Sequence, residues 1–345
     1  MFDAMKKQLS AKQFAIKEKA LRNYKIILIQ DSTTIALPMW LNKYFPGSIF
    51  HGHSYSQLKI QVIYDLQNNQ FVHFEVTSNR QNDQSKAKDI LQLAGNKDIV
   101  IRDMGYFASE CFKLMNEKKI SFISRLKYGT HVFDLGTGKH IDLFKYLKKN
   151  KFIDKWVLMG AQYKAPVRIV GITLSSERAA MRRRIEKKHA DSRANHSKQF
   201  YQRLGYDIYV TSQDLQNIAV PDIVRLYSMR WRIENIFRSW KSHFQLQEMI
   251  PQNRSLTRER ALAMVYMMLI FVVLFQAKIY HMVLLYMNKF KRSQISLIKL
   301  SKFIADNIWQ ILFQQWKYLM PQIAYFSQYD KRSDRLTFMQ KHSLS

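Results

Sequence analysis

Four polar side chains in the segment YSMRWRIENIFRSWK, residues 227–241, have types that suit chemistry on a phosphate. Counted at about 100° per residue on a helix, they share a face about 60° wide beside an apolar stripe. The four are Tyr227, Arg230, Glu234 and Lys241. The stripe consists of Leu226, Met229, Ile233, Ile236, Phe237, Trp240 and Phe244. A carboxylate between cations suits a metal-dependent reaction on a phosphate backbone, but a surface helix with ion pairs gives the same pattern. This helix alone leaves both interpretations open.

The helix that carries these residues is predicted to begin at Pro221 and to end at Pro251. Proline suits the first turn of a helix because its missing N–H has no partner there. Glu248 projects to the same side of this helix and is a second candidate acid. We prefer Glu234, because Glu248 lies close to the helix end.

Two aspartates are predicted to follow short apolar strands. Residues 25–30 (KIILIQ) precede Asp31, and residues 99–102 (IVIR) precede Asp103. Sites in open α/β sheets gather at the carboxyl ends of strands, so the two carboxylates converge if these strands are neighbours. A single aspartate at such a place is commonly a turn former or a helix cap. Two of them, together with a glutamate on a helix, favour a site.

The elements between and after these strands predict a mixed α/β sheet. Alternating runs at 58–64 and 71–76 are read as a hairpin, and 120–126 as a further strand. Helices are predicted at 84–95 and 107–119. The order strand, strand, strand, helix, strand, helix, strand therefore contains two antiparallel hairpin strands within an otherwise α/β arrangement.

Residues 127–206 interrupt this alternation and are predicted to be a largely β insertion. Strands are expected at 156–158 and 167–174, a turn at 136–139, and a returning strand at 206–211. Within the insertion, residues 176–203 contain nine Lys or Arg against three Asp or Glu. A solvated loop explains this excess, and so does a loop that attracts a phosphate backbone.

The chain is thus divided into five predicted regions. They are a short N-terminal helical segment at 1–24, a first core part at 25–126, the insertion at 127–206, a second core part with the glutamate helix at 207–255, and a helical C-terminal region at 256–345. Helices are expected there at 256–287 and 293–325, followed by a polar tail.

Composition restricts the partners of the chain. The formal net charge of +29 over 345 residues predicts nucleic acid first and an acidic membrane surface second. Cys111 is the only cysteine, which excludes an intrachain disulfide framework and a Cys-based zinc site. The apolar run 261–275 has 15 residues, fewer than the roughly 20 that span a bilayer. We predict a buried helix there and no membrane partner.

These residues resemble a known family. The spacing Tyr227-x2-Arg230-x3-Glu234-x6-Lys241 is similar to the Tyr-Arg-Glu-Lys signature of bacterial insertion-sequence transposases with DDE chemistry. The stretches IQDSTT at 29–34 and RDMGYF at 102–107 resemble the two aspartate motifs of that family. NRQND at 79–83 and FPGS at 45–48 add weaker matches. The resemblance covers roughly residues 25–280.

The resemblance implies an RNase H-like fold with a β-rich insertion before the glutamate helix. It also implies that Asp31, Asp103 and Glu234 are the catalytic triad. Three carboxylates of this kind hold two Mg²⁺ ions roughly 3.5–4 Å apart, and Mn²⁺ is expected to substitute. The expected activity is metal-dependent DNA strand cleavage and strand transfer.

The resemblance further implies that Tyr227, Arg230 and Lys241 contact phosphates near the cleaved end. Trp231 is a candidate for an aromatic contact with DNA, and packing in the core is an equal alternative. The expected partners are double-stranded DNA, both transposon ends and target, and a second copy of the chain in a synaptic complex. The expected location is the bacterial cytoplasm, in association with the nucleoid.

The length of chain before Asp31 departs from the family pattern. Relatives usually carry a longer helical DNA-binding segment there, whereas 30 residues precede Asp31 in this sequence. A truncated chain is therefore one expectation. The alternative function is a catalytically inactive DNA-binding remnant or a repressor of the intact transposase. A third hypothesis is an RNase H-like nuclease without a transfer step.

Overall fold

A computed structural model describes residues 24–50, 53–189, 197–212, 215, 217–287, 289, 295–313 and 316–328. The predicted N-terminal helical segment lies outside these residues except for Tyr24, and the polar tail after Gln328 lies outside them entirely. The chain divides into two compact units. The first unit contains Ile29–Asn82 and the chain from Met229 onward, and the second contains Asp83–Ser228 and the residues just before Ile29.

The described residues contain ten β-strands. They are β1 (Ile26–Leu37), β2 (Pro46–Phe50), β3 (His53–Asp65), β4 (Gln70–Ser78), β5 (Asp98–Arg102), β6 (Ser121–Arg125), β7 (Val132–Asp134), β8 (Phe152–Met159), β9 (Ala165–Thr173) and β10 (Tyr206–Thr211). All the predicted strands are present, and β2 and β7 were not predicted.

The described residues also contain eleven α-helices. They are α1 (Ser109–Glu117), α2 (Leu143–Asn150), α3 (Ser176–His189), α4 (Lys198–Arg203), α5 (Val220–Ser228), α6 (Trp231–Ser242), α7 (Arg258–Leu274), α8 (His281–Tyr286), α9 (Leu297–Asp306), α10 (Ile308–Phe313) and α11 (Trp316–Phe326). A π-helical turn, Phe275–Tyr280, joins α7 to α8.

In the first unit, strand β3 is paired with three neighbours. The strand order is β2-β3-β1, and β4 also pairs with β3. The β3–β4 hairpin is antiparallel, as predicted. Its turn is fixed by the Asp65 carboxylate, which accepts hydrogen bonds from the backbone N–H groups of Gln67 and Asn68. Asn69 adopts the positive φ of 52° that this turn requires.

In the second unit, the start of β1 is followed in the sheet by β5-β6-β10-β9-β8-β7. Strands β5 and β6 are parallel, whereas β10 is antiparallel to both β6 and β9. Strand β5 is buried along its whole length, as expected for a strand covered on both faces. The predicted mixed α/β sheet and the helical C-terminal region are confirmed.

The region 127–206 differs in content from the predicted largely β insertion. Its described residues contain three helices, α2 to α4, beside three strands. Strands β8 and β9 continue the sheet through the pairing of β9 with β10. The basic run predicted as a loop is mostly the helix α3, because Arg, Lys, Glu and Ala all have good helix propensity. Residues 190–196 of this run lie outside the described part of the chain.

Two predicted elements have a different form. The segment 84–95 contains two short 3₁₀ turns, Asp83–Lys86 and Asp89–Gln92, instead of one α-helix. Asp and Ser in this segment favour caps and turns over helix interiors. Strand β1 does not stop at Asp31 but continues to Leu37, because the β-branched residues that follow favour extended backbone.

The predicted helix from Pro221 to Pro251 is two helices. Met229 and Arg230 form a turn between α5 and α6, although Arg230 keeps helical dihedral angles of −53° and −32°. Helix α6 ends at Ser242, well before Pro251. The predicted apolar stripe is confirmed, since Leu226, Ile233 and Trp240 are all fully buried.

The apolar run near residue 261 belongs to a longer helix than the run itself. Arg258–Tyr286 is one continuous helix of 29 residues, with a mean hydropathy of 2.2 in its most apolar window and 33% of that window buried. Its length and composition suffice to cross a membrane, but core helices of many proteins have the same properties. Within the first unit, buried Gln276 donates to the Tyr64 hydroxyl at 3.1 Å, and Phe244 packs on Phe271 and Phe275. These contacts bury one face of the helix, whereas most of its apolar window is not buried, so the prediction of a buried helix holds for that face only.

Candidate active site

Asp31 lies inside strand β1 and not at its end. The preceding residues Ile27–Gln30 are buried, whereas Asp31 and Ser32 are half-buried. The Asp31 carboxylate accepts the backbone N–H of Ser32 at 2.8 Å. A long strand therefore holds this carboxylate on rigid backbone, with access to solvent on one side.

Arg230 directly precedes α6, and Glu234 lies in its first turn. The buried side chains of Ile233, Ile236 and Trp240 fix this helix in the first unit, and the Trp240 ring packs against Phe71 and Phe237. Because residues four apart are neighbours on a helix, Arg230 and Glu234 share its opposite side.

One guanidinium bridges two of the predicted carboxylates in the first unit. Arg230 Nη2 lies 2.5 Å from Glu234 Oε1, and Arg230 Nη1 lies 3.3 Å from Asp31 Oδ2. All three side chains are mostly shielded from solvent. Residues 199 or more positions apart in the sequence are thus brought to one place. We call this set the Asp31–Arg230–Glu234 cluster.

The Asp31–Arg230–Glu234 cluster has the donor chemistry that a hard divalent cation requires. Mg²⁺ and Mn²⁺ bind carboxylate oxygens, and both carboxylates already face one cationic group. Among the described residues, no three His, Cys, Asp or Glu side chains lie close enough together to hold a metal ion. Asp31 and Glu234 each offer carboxylate oxygens of the kind that such an ion binds, and the guanidinium of Arg230 lies between them.

Asp103 is placed by the second unit, directly after the buried strand β5. The predicted position at a strand end is confirmed, and the 3₁₀ turn Met104–Tyr106 follows it. The Tyr227 hydroxyl donates to Asp103 Oδ1 at 3.3 Å. Tyr227 is buried, with its ring 5.0 Å from that of Tyr209. Two residues of the predicted constellation are thus in direct contact here.

The residue before Asp103 is a fully buried arginine whose importance the sequence did not reveal. Arg102 donates to the backbone carbonyls of Tyr106 and Ala87 and to Cys111 Sγ. These hydrogen bonds fix both ends of the turn that carries Asp103. The available signal in the sequence was a charged residue at the end of an otherwise apolar run, directly before a candidate metal ligand.

Trp231 is not a core residue. Its side chain is 55% exposed, whereas Trp240 on the same helix is 2% exposed. The core alternative for Trp231 is therefore wrong. Lys241 lies on the side of α6 that carries Arg230 and Glu234, and the residue is exposed to solvent. Partial desolvation nevertheless lowers the pKa of the Lys241 ammonium.

Glu248 does not compete with Glu234 in the way the sequence suggested. It lies beyond the end of α6, in a turn, and is exposed. The neighbouring Gln247 instead ties this turn to strand β1, through both hydrogen bonds of its amide to the backbone of Ala36. Glu234 is the acid that a helix holds beside Asp31.

The two weaker sequence motifs meet in the first unit. Asn79 Nδ2 donates to Ser48 Oγ at 3.1 Å and to Gln57 Oε1 at 2.8 Å. A side chain at Gly47 would come within 2.5 Å of the Tyr55 carbonyl, so only glycine fits there. These residues join the ends of β2 and β4 beside β3, which is a structural role.

A second charged cluster, in the second unit, was missed by the sequence analysis. Asp207 Oδ1 lies 2.6 Å from Arg125 Nη2 and 2.8 Å from Arg182 Nη1. Arg203 is buried nearby, and desolvation, together with the positive charges of Arg125 and Arg182, lowers its pKa to about 10. We call this set the Asp207 arginine cluster. Asp207 lies among the apolar residues of the strand YDIYVT. An acid in such a strand is expected to be buried and paired with a cation, and this feature could have identified the cluster from the sequence.

Comparison with known proteins gives a family. The family profile described as a transposase DDE domain matches residues 23–274. The chain is 29% identical over 335 residues to the transposase for insertion sequence element IS231C of Bacillus thuringiensis subsp. berliner, covering 91% of this chain and 68% of that protein. It is 30% identical over 335 residues to the transposase for IS231D of Bacillus thuringiensis subsp. finitimus, again covering 91% and 68%.

A more distant relative is the transposase for insertion sequence element IS1151 of Clostridium perfringens, 27% identical over 280 residues, which covers 74% of this chain and 58% of that protein. Among solved structures, a piggyBac transposase synaptic complex with hairpin DNA aligns with a TM-score of 0.46 at 10% identity, covering 91% of this chain and 59% of that one. The profile match extends over both aspartate motifs and the glutamate helix. The chain therefore belongs to the DDE-domain transposases of insertion sequences.

Proposed function

We propose that this DNA transposase cleaves and joins the ends of its insertion sequence by a reaction that depends on two divalent metal ions, Mg²⁺ in the cell. The observation that supports this most directly is the Asp31–Arg230–Glu234 cluster, in which two carboxylates face one cation. Metal ions bound there would activate the attacking oxygen and stabilise the leaving oxygen at phosphorus. Asp103 is proposed as the third carboxylate on the resemblance alone.

The residues of the chain have separate tasks in this proposal. Asp31 and Glu234 hold the cations on rigid elements, which keeps their geometry fixed. Arg230 offsets one of the two carboxylate charges when no metal is bound, and once a metal has displaced it, it is available to grip a phosphate, since a guanidinium can bind one bidentately. Tyr227 holds Asp103 through its hydroxyl. Lys241 and exposed Trp231 are proposed to contact DNA near the cleaved end.

The partners follow from the same proposal. The net charge of +29 supports binding to duplex DNA, both the element's ends and the target. A homodimer that pairs two ends in a synapse is proposed from the resemblance. A bacterial protein that acts on chromosomal DNA is expected in the cytoplasm, in association with the nucleoid.

A cleavage assay on DNA that carries the element's own ends tests the proposal. The comparison is Mg²⁺ against EDTA, Mn²⁺ as a substitute, and wild type against Glu234→Gln. Glu248→Gln is the matched control, because it makes the same chemical change at an exposed acid outside α6. We expect nicking at the element boundary that requires metal, is lost in Glu234→Gln and persists in Glu248→Gln. Tight, salt-sensitive binding without nicking under any metal would instead indicate an inactive DNA-binding protein.

A further inference from the structure

Helix α3 presents a basic and partly apolar side to solvent. The exposed residues on this side form what we call the α3 outer face. They are Glu177, Arg178, Met181, Arg184, Ile185 and Lys188. We propose that the α3 outer face binds duplex DNA, as a second contact surface remote in sequence from the catalytic residues. This inference rests on the proposed function in taking DNA as the partner.

The opposite side of α3 is anchored to the second unit. Ala179 is buried, and Arg182 forms two hydrogen bonds with Asp207 at 2.8 and 3.2 Å. Arg183 Nε donates to the Tyr201 carbonyl at 3.0 Å, and Lys187 Nζ lies 5.6 Å from the Tyr201 ring. The helix is therefore held in place before any ligand arrives. Binding then requires ordering of a few side chains and not of the helix itself.

The charges of the α3 outer face are arranged for a polyanion. Arg184 and Lys188 are four residues apart, so two like charges are neighbours on the helix surface. Like charges at this spacing repel each other and disfavour an isolated helix, and the single acid Glu177 offsets only part of the positive charge of the face. Phosphates bound along the face would relieve this repulsion and release counterions.

Two large apolar side chains separate these cations. Met181 is 62% exposed and Ile185 is 47% exposed, one helical turn apart. Water solvates such side chains poorly, so a purely solvated face gives no reason for them. Sugar carbons and thymine methyl groups offer apolar contacts between the phosphates, and the major groove of about 12 Å admits an α-helix. Three cations against one acid, Glu177, together with two apolar side chains thus fit duplex DNA.

The decisive measurement is the salt dependence of DNA binding by the full chain. The variant Arg178→Gln/Arg184→Gln/Lys188→Gln is compared with wild type by fluorescence anisotropy on a duplex of about 30 base pairs. Each lost phosphate contact lowers the log–log salt slope by about 0.9, so we expect a decrease of about 2 to 3 and an affinity loss of about 10- to 100-fold near 0.15 M salt. The control Lys97→Gln/Lys113→Gln/Lys118→Gln removes equal charge from exposed lysines of the same unit and should retain the wild-type slope.

A second variant tests the apolar part of the face. Met181→Ala/Ile185→Ala should weaken binding several-fold while the salt slope stays unchanged, because no charge is removed. All of these side chains are exposed, so thermal unfolding should match wild type in each variant. Equal losses in the outer-face and control triple variants would overturn the inference. So would an unchanged slope, or a shift in oligomeric state without a change in DNA binding. If wild type binds and nicks DNA and the outer-face variant behaves identically, this inference alone is rejected. If wild type binds no DNA, the proposed function is rejected as well.

Discussion

Two charged clusters, one in each compact unit, use the same groups in opposite proportions. The Asp31–Arg230–Glu234 cluster places one guanidinium between two carboxylates. The Asp207 arginine cluster places one carboxylate among three guanidiniums. The first therefore has an excess negative charge and the second an excess of positive charge. The proportion of acids to cations, and not the kinds of residue present, distinguishes the proposed cation site from the buried structural cluster.

The two clusters also differ in what surrounds them. The Asp207 arginine cluster joins β6, α3, α4 and β10, and Arg203 is satisfied by the carbonyls of Tyr206 and Leu126 at 2.9 Å. Its residues are thus committed to holding elements together. In the Asp31–Arg230–Glu234 cluster the carboxylates lie at the edge of solvent. In the proposed function, a metal ion would replace the guanidinium at these partly exposed carboxylates.

The largest expected effect comes from removing the single carboxylate of the Asp207 arginine cluster. Asp207→Ala leaves guanidiniums buried without a counter-charge, which is expected to lower the free energy of unfolding by about 3–5 kcal/mol. Urea denaturation measures this value. Asp222→Ala is the control, because Asp222 pairs with Arg225 at the partly exposed surface of α5 and should lose less than about 1 kcal/mol. Equal losses in both variants would show that the buried cluster is not a joint.

The converse change, removal of the single cation from the Asp31–Arg230–Glu234 cluster, should have a smaller effect that metal reverses. Arg230→Gln is expected to lose about 1.5–3 kcal/mol in EDTA, since two charged hydrogen bonds are lost. Added Mg²⁺ should raise its melting temperature more than that of wild type, because the guanidinium no longer competes for Asp31 and Glu234. Arg225→Gln on α5 is the control and should show the wild-type response to Mg²⁺. A Mg²⁺ response in Arg230→Gln no larger than that of wild type would contradict the competition.

Local sequence patterns were sufficient to predict the elements that carry the candidate acids. Alternation and apolar runs predicted every strand that carries or flanks a candidate acid, and the stripe from Leu226 to Phe244 identified the buried side of the glutamate helix. Such patterns are local, because burial of one face imposes a period on neighbouring residues. The strand end at Asp103 was predicted for the same reason.

Tertiary contacts determined what the sequence could not give. The turn at Met229–Arg230 has no proline or glycine to announce it, and Arg230 keeps helical dihedral angles. Asp31 looked like the end of a strand because an acid followed an apolar run, yet pairing within the sheet extends β1 by six more residues to Leu37. The pairing of Asp207 with Arg182 spans 25 positions, which no helical or strand period connects.

Asp103, the proposed third carboxylate, accepts a hydrogen bond from a neutral hydroxyl and not from a guanidinium, so we expect a smaller effect than in either charged cluster. Tyr227→Phe removes the hydroxyl that donates to Asp103 but keeps the ring against Tyr209. We expect a loss of about 0.5–1.5 kcal/mol in the free energy of unfolding, the usual net value of one hydrogen bond. Chemical denaturation is the readout, and Tyr163→Phe, at an exposed tyrosine of the same unit, is the control. A loss as large as that of Asp207→Ala would mean that Tyr227 holds more than this one carboxylate.

The smallest effect is expected at Lys241, on the side of α6 that carries Arg230 and Glu234. The prediction concerns how much stability the partly desolvated Lys241 ammonium costs when no DNA is bound. Desolvation lowers its pKa in the folded chain, so between that value and the unfolded value of about 10.4 the unfolded state binds more protons. Wild-type stability attributable to this group therefore rises with pH through that window. Lys241→Met should be slightly more stable than wild type at pH 7, by less than about 0.5 kcal/mol, and the gain should vanish near pH 11. Exposed Lys113→Met should show no such gain. If the stability gain of Lys241→Met over wild type persists at pH 11, the gain results from packing and not from the charge. If the two proteins become equally stable when duplex DNA is added, a phosphate compensates for the desolvated charge of Lys241.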